Sequence, residues 1–326
     1  LDVVFLGLGM QPVSRLEEIE WVPKKRYRIM GPYMPKVGTL GQRMMKQTAT
    51  VQANIDYSDE KDAMAKFRTG MGLTPIIIAM FANSPICDGQ LNGYRSFREH
   101  IWTDTDKSRS GLLKFAFLPE VSFNHYVQYA LDVPMYFIIR NHDYIDMTSM
   151  TFRQFLKQGW RDERATIDDW NDHLTTLFPE TRIKRYIEVR SADSQPPELM
   201  PALPAVIKGA FYDTDCLQAA WDLVKGWSWD ERMQVYLDSH RDALAARIRR
   251  YSLLDLAKEL FQIAWEGLSR QKVLNSQGDD ETIYLNSLKT LLFQGKCPAD
   301  VLVEKWEGEL QQDIKKLIAY SAYKLP

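Results

Sequence analysis

A carboxylate and a guanidinium stand two residues apart in the β-prone stretch KRYIEVRSAD, Lys184 to Asp193. Successive side chains of a strand point to opposite faces, so Glu188 and Arg190 would share one face with Tyr186. Such a pair is either a surface ion pair or part of a site that holds a metal cation and an anionic phosphate together. The motif by itself leaves both interpretations open.

A second concentration of reactive side chains lies in the loop between residues 82 and 111. Three arginines, Arg95, Arg98 and Arg109, alternate there with aromatic residues that include Trp102. A guanidinium held rigidly beside an aromatic ring can bind carboxylates or phosphates through two parallel hydrogen bonds. Surface pairing of these arginines with aspartates of the same loop is the open alternative.

Polar side chains also line one face of the alternating stretch TATVQANIDYS, residues 48–58. That face carries Thr48, Thr50, Gln52 and Asn54, and the opposite face is aliphatic. A polar, mostly uncharged face suits a wet ligand cavity, with simple exposure to solvent as the alternative. Combined with the acid and the arginines, it suits ATP-dependent activation of a carboxylate, in which positioning and charge neutralisation dominate.

Composition excludes several other classes of protein. A formal net charge of −2 gives no nucleic-acid footprint, and the longest apolar run, PIIIAMFA, is too short to cross a bilayer. The three cysteines and five histidines form no zinc pattern and no disulfide framework. We therefore expect a cytoplasmic protein with no nucleic-acid or membrane partner.

The helices and strands that the sequence predicts around these residues indicate an α+β fold. Residues 132–140 read as a strand with a short partner at 144–146, and Ser58 is placed to cap a helix with an apolar stripe. A proline-rich stretch at 194–204 precedes an almost wholly helical remainder. The pattern predicts a sheet-bearing catalytic body over 1–205 and a helical C-terminal part over 206–326 packed on it.

Several long segments, in order, are similar to the plant and proteobacterial type of glutamate–cysteine ligase. They are YMPKVGTLGQRMMKQTATVQANIDYSDE, AMFANSPICDGQLNGYRSFREHIWTDTDKSRSG, YALDVPMYFIIR, MTFRQFL, HLTTLFPETRIKRYIEVRSAD and ALPA. The resemblance covers nearly the whole chain and is less distinctive in the helical end. It implies a glutamine-synthetase-like fold whose antiparallel sheet forms an active-site funnel.

The resemblance further implies L-glutamate, L-cysteine and ATP as substrates, Mg²⁺ as cofactor, and the first step of glutathione synthesis. It makes Glu188 a magnesium ligand, Arg190 a catalytic contact to the ATP phosphates, and Arg98 a catalytic contact to the glutamate α-carboxylate. Arg109 is expected in phosphate binding or in the structure of the pocket. The other substrate-binding positions are Arg26, Thr48, Thr50, Gln52, Asn54, Arg95, Trp102 and Tyr136.

Two departures from the family pattern qualify this expectation. The hairpin that carries a regulatory disulfide in plant members has Met147 and no cysteine here, which excludes that redox switch. The family's paired metal-binding glutamates would precede Leu1, so we expect another segment or chain to complete the site and the chain alone to turn over poorly. A different amine acceptor, or a non-catalytic glutamate- or nucleotide-binding fragment, remains as an alternative.

Overall fold

The chain combines helices with short strands, and this mixture confirms the α+β class. The computed structural model describes residues 3–324. The helices are α1 (Tyr27–Val37), α2 (Gly41–Gln47), α3 (Glu60–Phe81), α4 (Phe97–Thr103), α5 (Phe123–Asp132), α6 (Phe152–Gln158), α7 (Ile167–Leu174), α8 (Ala202–Phe211), α9 (Thr214–Val224), α10 (Trp229–Asp242), α11 (Leu253–Gln271), α12 (Asn286–Phe293), α13 (Pro298–Glu307) and α14 (Ile314–Ser321). The strands are β1 (Thr50–Ile55), β2 (Ile86–Cys87), β3 (Gln90–Leu91), β4 (Ser110–Gly111), β5 (Phe137–Arg140), β6 (Asp143–Asp146), β7 (Phe178–Pro179), β8 (Thr181–Ile183), β9 (Ile187–Asp193), β10 (Arg247–Ile248) and β11 (Tyr251–Ser252).

The sheet that matters for the site has the strand order β1-β9-β8 and is antiparallel throughout. Glu188 on its central strand pairs with Asn54 on one side and with Arg182 on the other. Ile187 and Val189 point into the core, so the predicted alternation of β9 is confirmed. An irregularity opposite Gln52 shifts the register of the two longer strands.

The first strand begins later than its alternating pattern predicts. The prediction that Thr48 belongs to this strand is wrong, because Thr48 follows the last turn of α2 and its hydroxyl donates to the carbonyl of Met44 at 2.7 Å. Ala53 and Ile55 face the core as expected, while Thr50 and Asn54 are exposed. The polar face is thus an open face of the sheet in the described part of the chain.

The long helix α3 supports the buried face of this sheet. The predicted apolar stripe of Met64, Phe67 and Met71 is buried. The prediction that Ser58 caps this helix is wrong, since the Asp59 side chain accepts the hydrogen bond from the Asp62 amide. A free carboxylate one residue later is the better partner for the exposed amides of the first turn.

The second predicted strand is shorter than its sequence suggests. Helix α5 continues to Asp132, and pairing begins only at Phe137, where β5 and β6 form the expected hairpin. A run such as VPMYFII is apolar enough for a strand or a helix end, and its proline donates no ladder hydrogen bond.

The C-terminal half is helical as predicted, with small differences at the boundaries. The Ser228–Glu231 capping box starts α10, which ends at Asp242. Residues Glu281–Leu285 form a 3-10 turn, and α12 starts directly after it at Asn286.

The division of the chain at residue 205 stays a prediction. Helix α8 runs across that position, and the largest core cluster takes residues from both sides of it. Within residues 3–324, no helix has the length and hydrophobicity needed to span a membrane.

Candidate active site

The centre of the site is Glu188, a carboxylate surrounded by cations. Its Oε2 accepts from the Nε of Arg182 at 2.6 Å and lies 3.3 Å from Nη1 of Arg190. Its Oε1 lies 3.0 Å from Nζ of Lys184. The Glu188 and Arg190 side chains are almost fully buried, so the pair predicted by KRYIEVRSAD is not a simple surface ion pair.

Electrostatics favour the charged form of the acid at this point. Burial raises the pKa of Glu188, but Arg182, Lys184 and Arg190 outweigh it and hold the pKa below its usual value. Burial, together with the nearby charge of Arg182, lowers the pKa of Arg190 to about 10. Three cations around one carboxylate leave an excess of positive charge, which is an arrangement suited to an anion.

Helix α4 brings Arg98 to the same sheet. Ser96 caps the helix by accepting from the Glu99 amide, and its hydroxyl donates to Oδ1 of Asp193 at 3.0 Å. Nη2 of Arg98 donates to the backbone carbonyl of Arg190 at 3.2 Å, and its Nη1 lies 4.0 Å from Oδ1 of Asp193. Arg98 is thereby fixed against β9, beside the two residues of the opening motif.

Asp193 ties α4, β9 and the end of α3 together. Its Oδ2 accepts from the Asn83 amide and from the Ser84 hydroxyl, both at 2.7 Å. Burial raises the pKa of its carboxyl, although Arg98 and these hydrogen bonds act in the opposite direction. A buried carboxylate with this many donors is a structural hub of the site.

Two further acids lie buried behind Arg98. Glu99 contacts the Arg98 guanidinium through Oε1, while its Oε2 is buried without a hydrogen-bond partner. Burial and the neighbouring charge of Glu180 raise the pKa of Glu99 well above its ordinary value. Glu180 accepts from the Tyr236 hydroxyl at 2.7 Å, which links the site to α10.

The polar face of β1 adjoins this cluster. The side-chain oxygen of Gln52 lies 3.4 Å from Nη1 of Arg190, and Asn54 sits opposite Glu188 in the sheet. The Thr50 hydroxyl donates to the carbonyl of Ala192 at 2.7 Å. The structure therefore brings these three predicted positions together with Glu188, Arg190 and Arg98.

A second group of predicted residues forms its own cluster. Arg109 is fully buried, and its guanidinium donates to Asp106 and to the carbonyl of Pro134, both at 2.6 Å. It also stacks on the ring of Tyr136 at 3.7 Å. Trp102, one helical turn after Arg98, packs against Phe178 at a ring separation of 5.5 Å.

Two predicted substrate contacts lie apart from both clusters. Arg95 pairs through Nε with Asp300 of α13 at 2.6 Å. Arg26 sits at the start of α1, with its guanidinium 5.5 Å from the ring of Tyr27 and its buried Nε without a hydrogen-bond partner.

The pattern in the sequence missed Arg182 and Lys184, although a signal was present. In TRIKRYIEVR, a hairpin centred on Arg185 places Arg182 opposite Glu188 and Lys184 on the same face. Reading the stretch as one strand hides this pairing, whereas reading it as two strands reveals it. Glu99, Glu180 and Tyr236 had no comparable local signal.

The described residues do not form a magnesium site by themselves. Within residues 3–324, no group of three or more His, Cys, Asp or Glu side chains is placed to hold a metal ion. Mg²⁺ usually binds through one or two carboxylates plus substrate phosphates, and Glu188 is already neutralised by cations. Glu188 could therefore supply one ligand of an ion shared with bound phosphates, and the cations around it fit a polyphosphate anion.

The profile of "Glutamate-cysteine ligase family 2 (GCS2)" matches residues 2–316. The chain belongs to this family. It is 46% identical to the chloroplastic glutamate–cysteine ligase of Arabidopsis thaliana over 317 residues, which is 96% of this chain and 60% of that protein. Glutamate–cysteine ligase B of Oryza sativa subsp. japonica, also chloroplastic, is 44% identical over 96% of this chain and 63% of its own length.

A third relative, the chloroplastic glutamate–cysteine ligase of Solanum lycopersicum, is 42% identical over 99% of this chain and 61% of its own length. The chain thus spans about three fifths of the length of the curated relatives that it matches. The names of these relatives place them in the chloroplast, and the cytoplasmic location of this protein stays a prediction.

Proposed function

We propose that the protein is an ATP-dependent ligase that joins the γ-carboxylate of L-glutamate to the amine of L-cysteine. This reaction is the first step of glutathione biosynthesis. Membership of the ligase family supports the proposal. The observation that carries it is the grouping of Arg182, Lys184 and Arg190 around Glu188, with Arg98 bonded to the backbone of Arg190.

The cation group is the proposed site of the ATP phosphates. Arg190, the predicted phosphate contact, stands beside Arg182 and Lys184, which extend the same positive surface. An oxygen of the glutamate γ-carboxylate attacks the γ-phosphorus, and ADP leaves. The cysteine amine then attacks the carbonyl carbon of the γ-glutamyl phosphate, phosphate leaves, and the amine loses a proton as the amide forms.

The glutamate is proposed to lie over β1 with its α-carboxylate toward Arg98. Thr50, Gln52 and Asn54 offer hydroxyl and amide groups along this face, and Gln52 adjoins Arg190. A neutral Glu99, which its raised pKa favours, would leave the Arg98 charge free for a substrate carboxylate.

The remaining predicted positions take supporting roles in this proposal. Arg109 maintains the structure of the pocket, because its guanidinium donates hydrogen bonds to Asp106 and to the carbonyl of Pro134. Trp102, which packs against Phe178, and Tyr136, which lies under the Arg109 guanidinium, are proposed as wall residues. Thr48 holds the chain between α2 and β1 through its hydrogen bond to Met44. Arg26 and Arg95 are kept as outer substrate contacts.

A glutamine-synthetase-like funnel and a Mg²⁺ site complete the proposal. Glu188 would supply one carboxylate ligand, and other parts of the longer family protein would supply the rest. The ion would neutralise phosphate charge at the site. The support is the family membership together with the position of Glu188 beside the proposed phosphate site.

Formation of product by the full-length protein tests the proposal. ADP release and product mass are measured with Mg·ATP, L-glutamate and a panel of small amines. ADP release that requires glutamate, with cysteine as the preferred amine and γ-glutamylcysteine as product, is the expected result. Preference for another amine would overturn the acceptor alone. Binding of glutamate and Mg·ATP without turnover would make the protein a binding module.

A further inference from the structure

A cleft lies between α3, α9 and the stretch of chain that precedes α5. Its volume is about 1380 Å³, including the open mouth. Met64, Leu217 and Trp221 supply apolar surface to its walls. Arg68 stands beside Trp221 in the same cleft. None of the residues that line this cleft belongs to the proposed active site.

Arg68 is a half-buried guanidinium without an acidic partner. It lies 5.0 Å from the ring of Trp221, and its Nε is buried without a hydrogen-bond partner. Within residues 3–324 it forms no ion pair, and two acids on the same helices, Asp62 and Asp222, are paired with lysines instead, each at 2.8 Å. A half-buried charge without a counter-ion is unfavourable, so this position is suited to an anionic ligand.

A second guanidinium adds to the positive charge beside the cleft. Arg232 of α10 is 3% exposed and lies 5.8 Å from the Trp221 ring, and its Nη1 has no hydrogen-bond partner. Its Nη2 donates to the carbonyl of Val224 at 2.6 Å, an acceptor that carries no charge. Burial lowers the pKa of Arg232 to about 10, which leaves this guanidinium charged at neutral pH. Two cations beside one ring favour an anion in the adjoining cleft.

The residues that line the cleft also indicate the charge and the shape of the ligand. Arg68 and Lys61 are positive and Glu60 is negative, so the formal charge of the lining is +1. Oε1 of Glu60 accepts from the backbone amide of Phe123 at 2.7 Å, which gives this acid a structural role. One carboxylate matches that charge and the planar fork of a guanidinium. The apolar walls match an aliphatic or aromatic body.

We propose that this cleft binds a small organic monocarboxylate, with its carboxylate on Arg68 and its apolar body along Trp221 and Leu217. The inference is independent of the proposed function, because the cleft and the ligase site share no residue. A neutral ligand leaves the guanidinium uncompensated, and a small inorganic anion leaves the apolar walls in contact with water.

Three small ligands test the two requirements of the site separately. Calorimetry with the full-length protein compares 3-phenylpropionate with 3-phenylpropanamide, which lacks the charge, and with acetate, which lacks the apolar body. The first should bind with a Kd of about 1 mM or lower, and the other two should bind about tenfold more weakly or worse. Equal binding of all three, or no saturable binding of 3-phenylpropionate, would overturn the proposal. Displacement of 3-phenylpropionate by L-glutamate would place it in the ligase site and would overturn the cleft as its location.

Ala65 offers a matched pair of variants within the cleft. It is partly exposed on α3, three residues before Arg68, so a longer side chain at this position can reach the guanidinium. Ala65→Glu should pair with Arg68 and weaken the binding of 3-phenylpropionate about tenfold or more. Ala65→Gln has the same size without the charge, and its affinity should stay within about twofold of wild type. Equal affinities of the two variants would contradict a carboxylate on Arg68.

A comparison of two arginines that both lie against a tryptophan gives an independent measurement. Arg68→Lys keeps the positive charge but removes the planar fork, and it should weaken the binding of 3-phenylpropionate about tenfold or more. Arg161→Lys is the control, because exposed Arg161 lies 4.2 Å from the ring of Trp160 outside the cleft. That variant should bind as wild type does, and equal affinities of Arg68→Lys and Arg161→Lys would overturn the role of Arg68.

Discussion

Glu188 supplies the negative charge that partly balances the cations of the site. A carboxylate in contact with Arg182, Lys184 and Arg190 fixes the directions of three long side chains that would otherwise repel each other. Removal of one member of a buried ionic group leaves the others uncompensated, which is costly. The same residue is thus a candidate metal ligand and the organiser of a candidate phosphate site.

We expect Glu188→Gln to abolish ligase activity in the full-length protein. The amide keeps the shape of the side chain but removes the charge that gathers the three cations. Steady-state turnover, measured across a range of Mg²⁺ concentrations, checks this expectation. Glu163→Gln is the control, because Glu163 pairs with Arg140 at 2.6 Å outside the site.

The Mg²⁺ series also separates the two roles of Glu188. Recovery of activity at high Mg²⁺ would assign it as a metal ligand, and an unresponsive loss would assign it as the organiser of the cations. Wild-type turnover by Glu188→Gln at ordinary Mg²⁺ would contradict both.

Glu99 makes the stability of the protein depend on pH in an uncommon direction. Its folded-state pKa lies well above the ordinary value of 4.5, because burial and Glu180 disfavour the charge. The folded state therefore holds a proton that the unfolded chain loses first, and this contribution to stability declines as the pH rises above about 4.5 toward the folded pKa. Over that window, the decline is at most about 1.4 kcal/mol per pH unit.

Glu99→Gln should remove this decline, since the amide does not titrate. The free energy of unfolding, from urea titrations between about pH 5 and 8, should fall less with rising pH in the variant than in wild type. Glu231→Gln provides the control. Arg249 and Ser228 lower the pKa of Glu231 to about 2, so this residue titrates below the measured range and its variant should keep the pH slope of wild type. Parallel pH profiles for Glu99→Gln and wild type would contradict a neutral Glu99.

At the scale of elements, α4 determines where Arg98 points. The helix has a single side-chain cap, Ser96, and the same hydroxyl reaches Asp193 on β9. Ser96 therefore both starts α4 and fixes the position of the Arg98 guanidinium on the sheet. A short helix of this kind depends strongly on its first turn.

Ser96→Ala should cost about 1 kcal/mol of stability, the usual loss for an N-cap, and should also raise the KM for glutamate. Chemical denaturation and initial-rate kinetics give the two quantities. Ser252→Ala removes the corresponding cap from α11 and should produce a similar stability loss without the change in KM. Equal KM values for Ser96→Ala and Ser252→Ala would contradict the positioning role of α4.

The elements also show what the sequence can and cannot predict. Alternation placed Glu188 and Arg190 on one face correctly, because the strand is backed by a core that demands Ile187 and Val189 on the other. Thr48 fits the same alternation, but its hydroxyl donates to the carbonyl of Met44 at the end of α2. A periodic sequence pattern does not distinguish such a position from a strand position. Tyr236 contacts Glu180 across 56 positions of the chain, and no local pattern carries such a contact.

At the scale of the whole molecule, α8 and α11 pack closely against each other within the C-terminal, helical part of the chain. A Cβ on Gly209 would lie 2.1 Å from the carbonyl oxygen of Ala264, and one on Gly267 would lie 1.9 Å from that of Gly209. The two backbones therefore touch, and only glycine permits that distance. Helix α8 in turn packs against β1, so this contact supports the site from behind.

Gly209→Ala should destabilise the protein by about 1–3 kcal/mol or more, because the added methyl forces the helices apart. Urea denaturation measures the loss. Gly226→Ala is the matched control, since a Cβ there meets nothing closer than 3.9 Å. If both variants were as stable as wild type, the backbone contact between α8 and α11 would be incorrect.

The central claim is that Arg190, on the polar face of β9, contacts the phosphates during activation of glutamate. The most direct measurement uses glutamate labelled with ¹⁸O in its γ-carboxylate and follows the label into inorganic phosphate. The full-length wild-type protein should transfer one labelled oxygen per turnover, and Arg190→Gln should bind glutamate but transfer no label. Transfer by Arg190→Gln at the wild-type rate would contradict the claim.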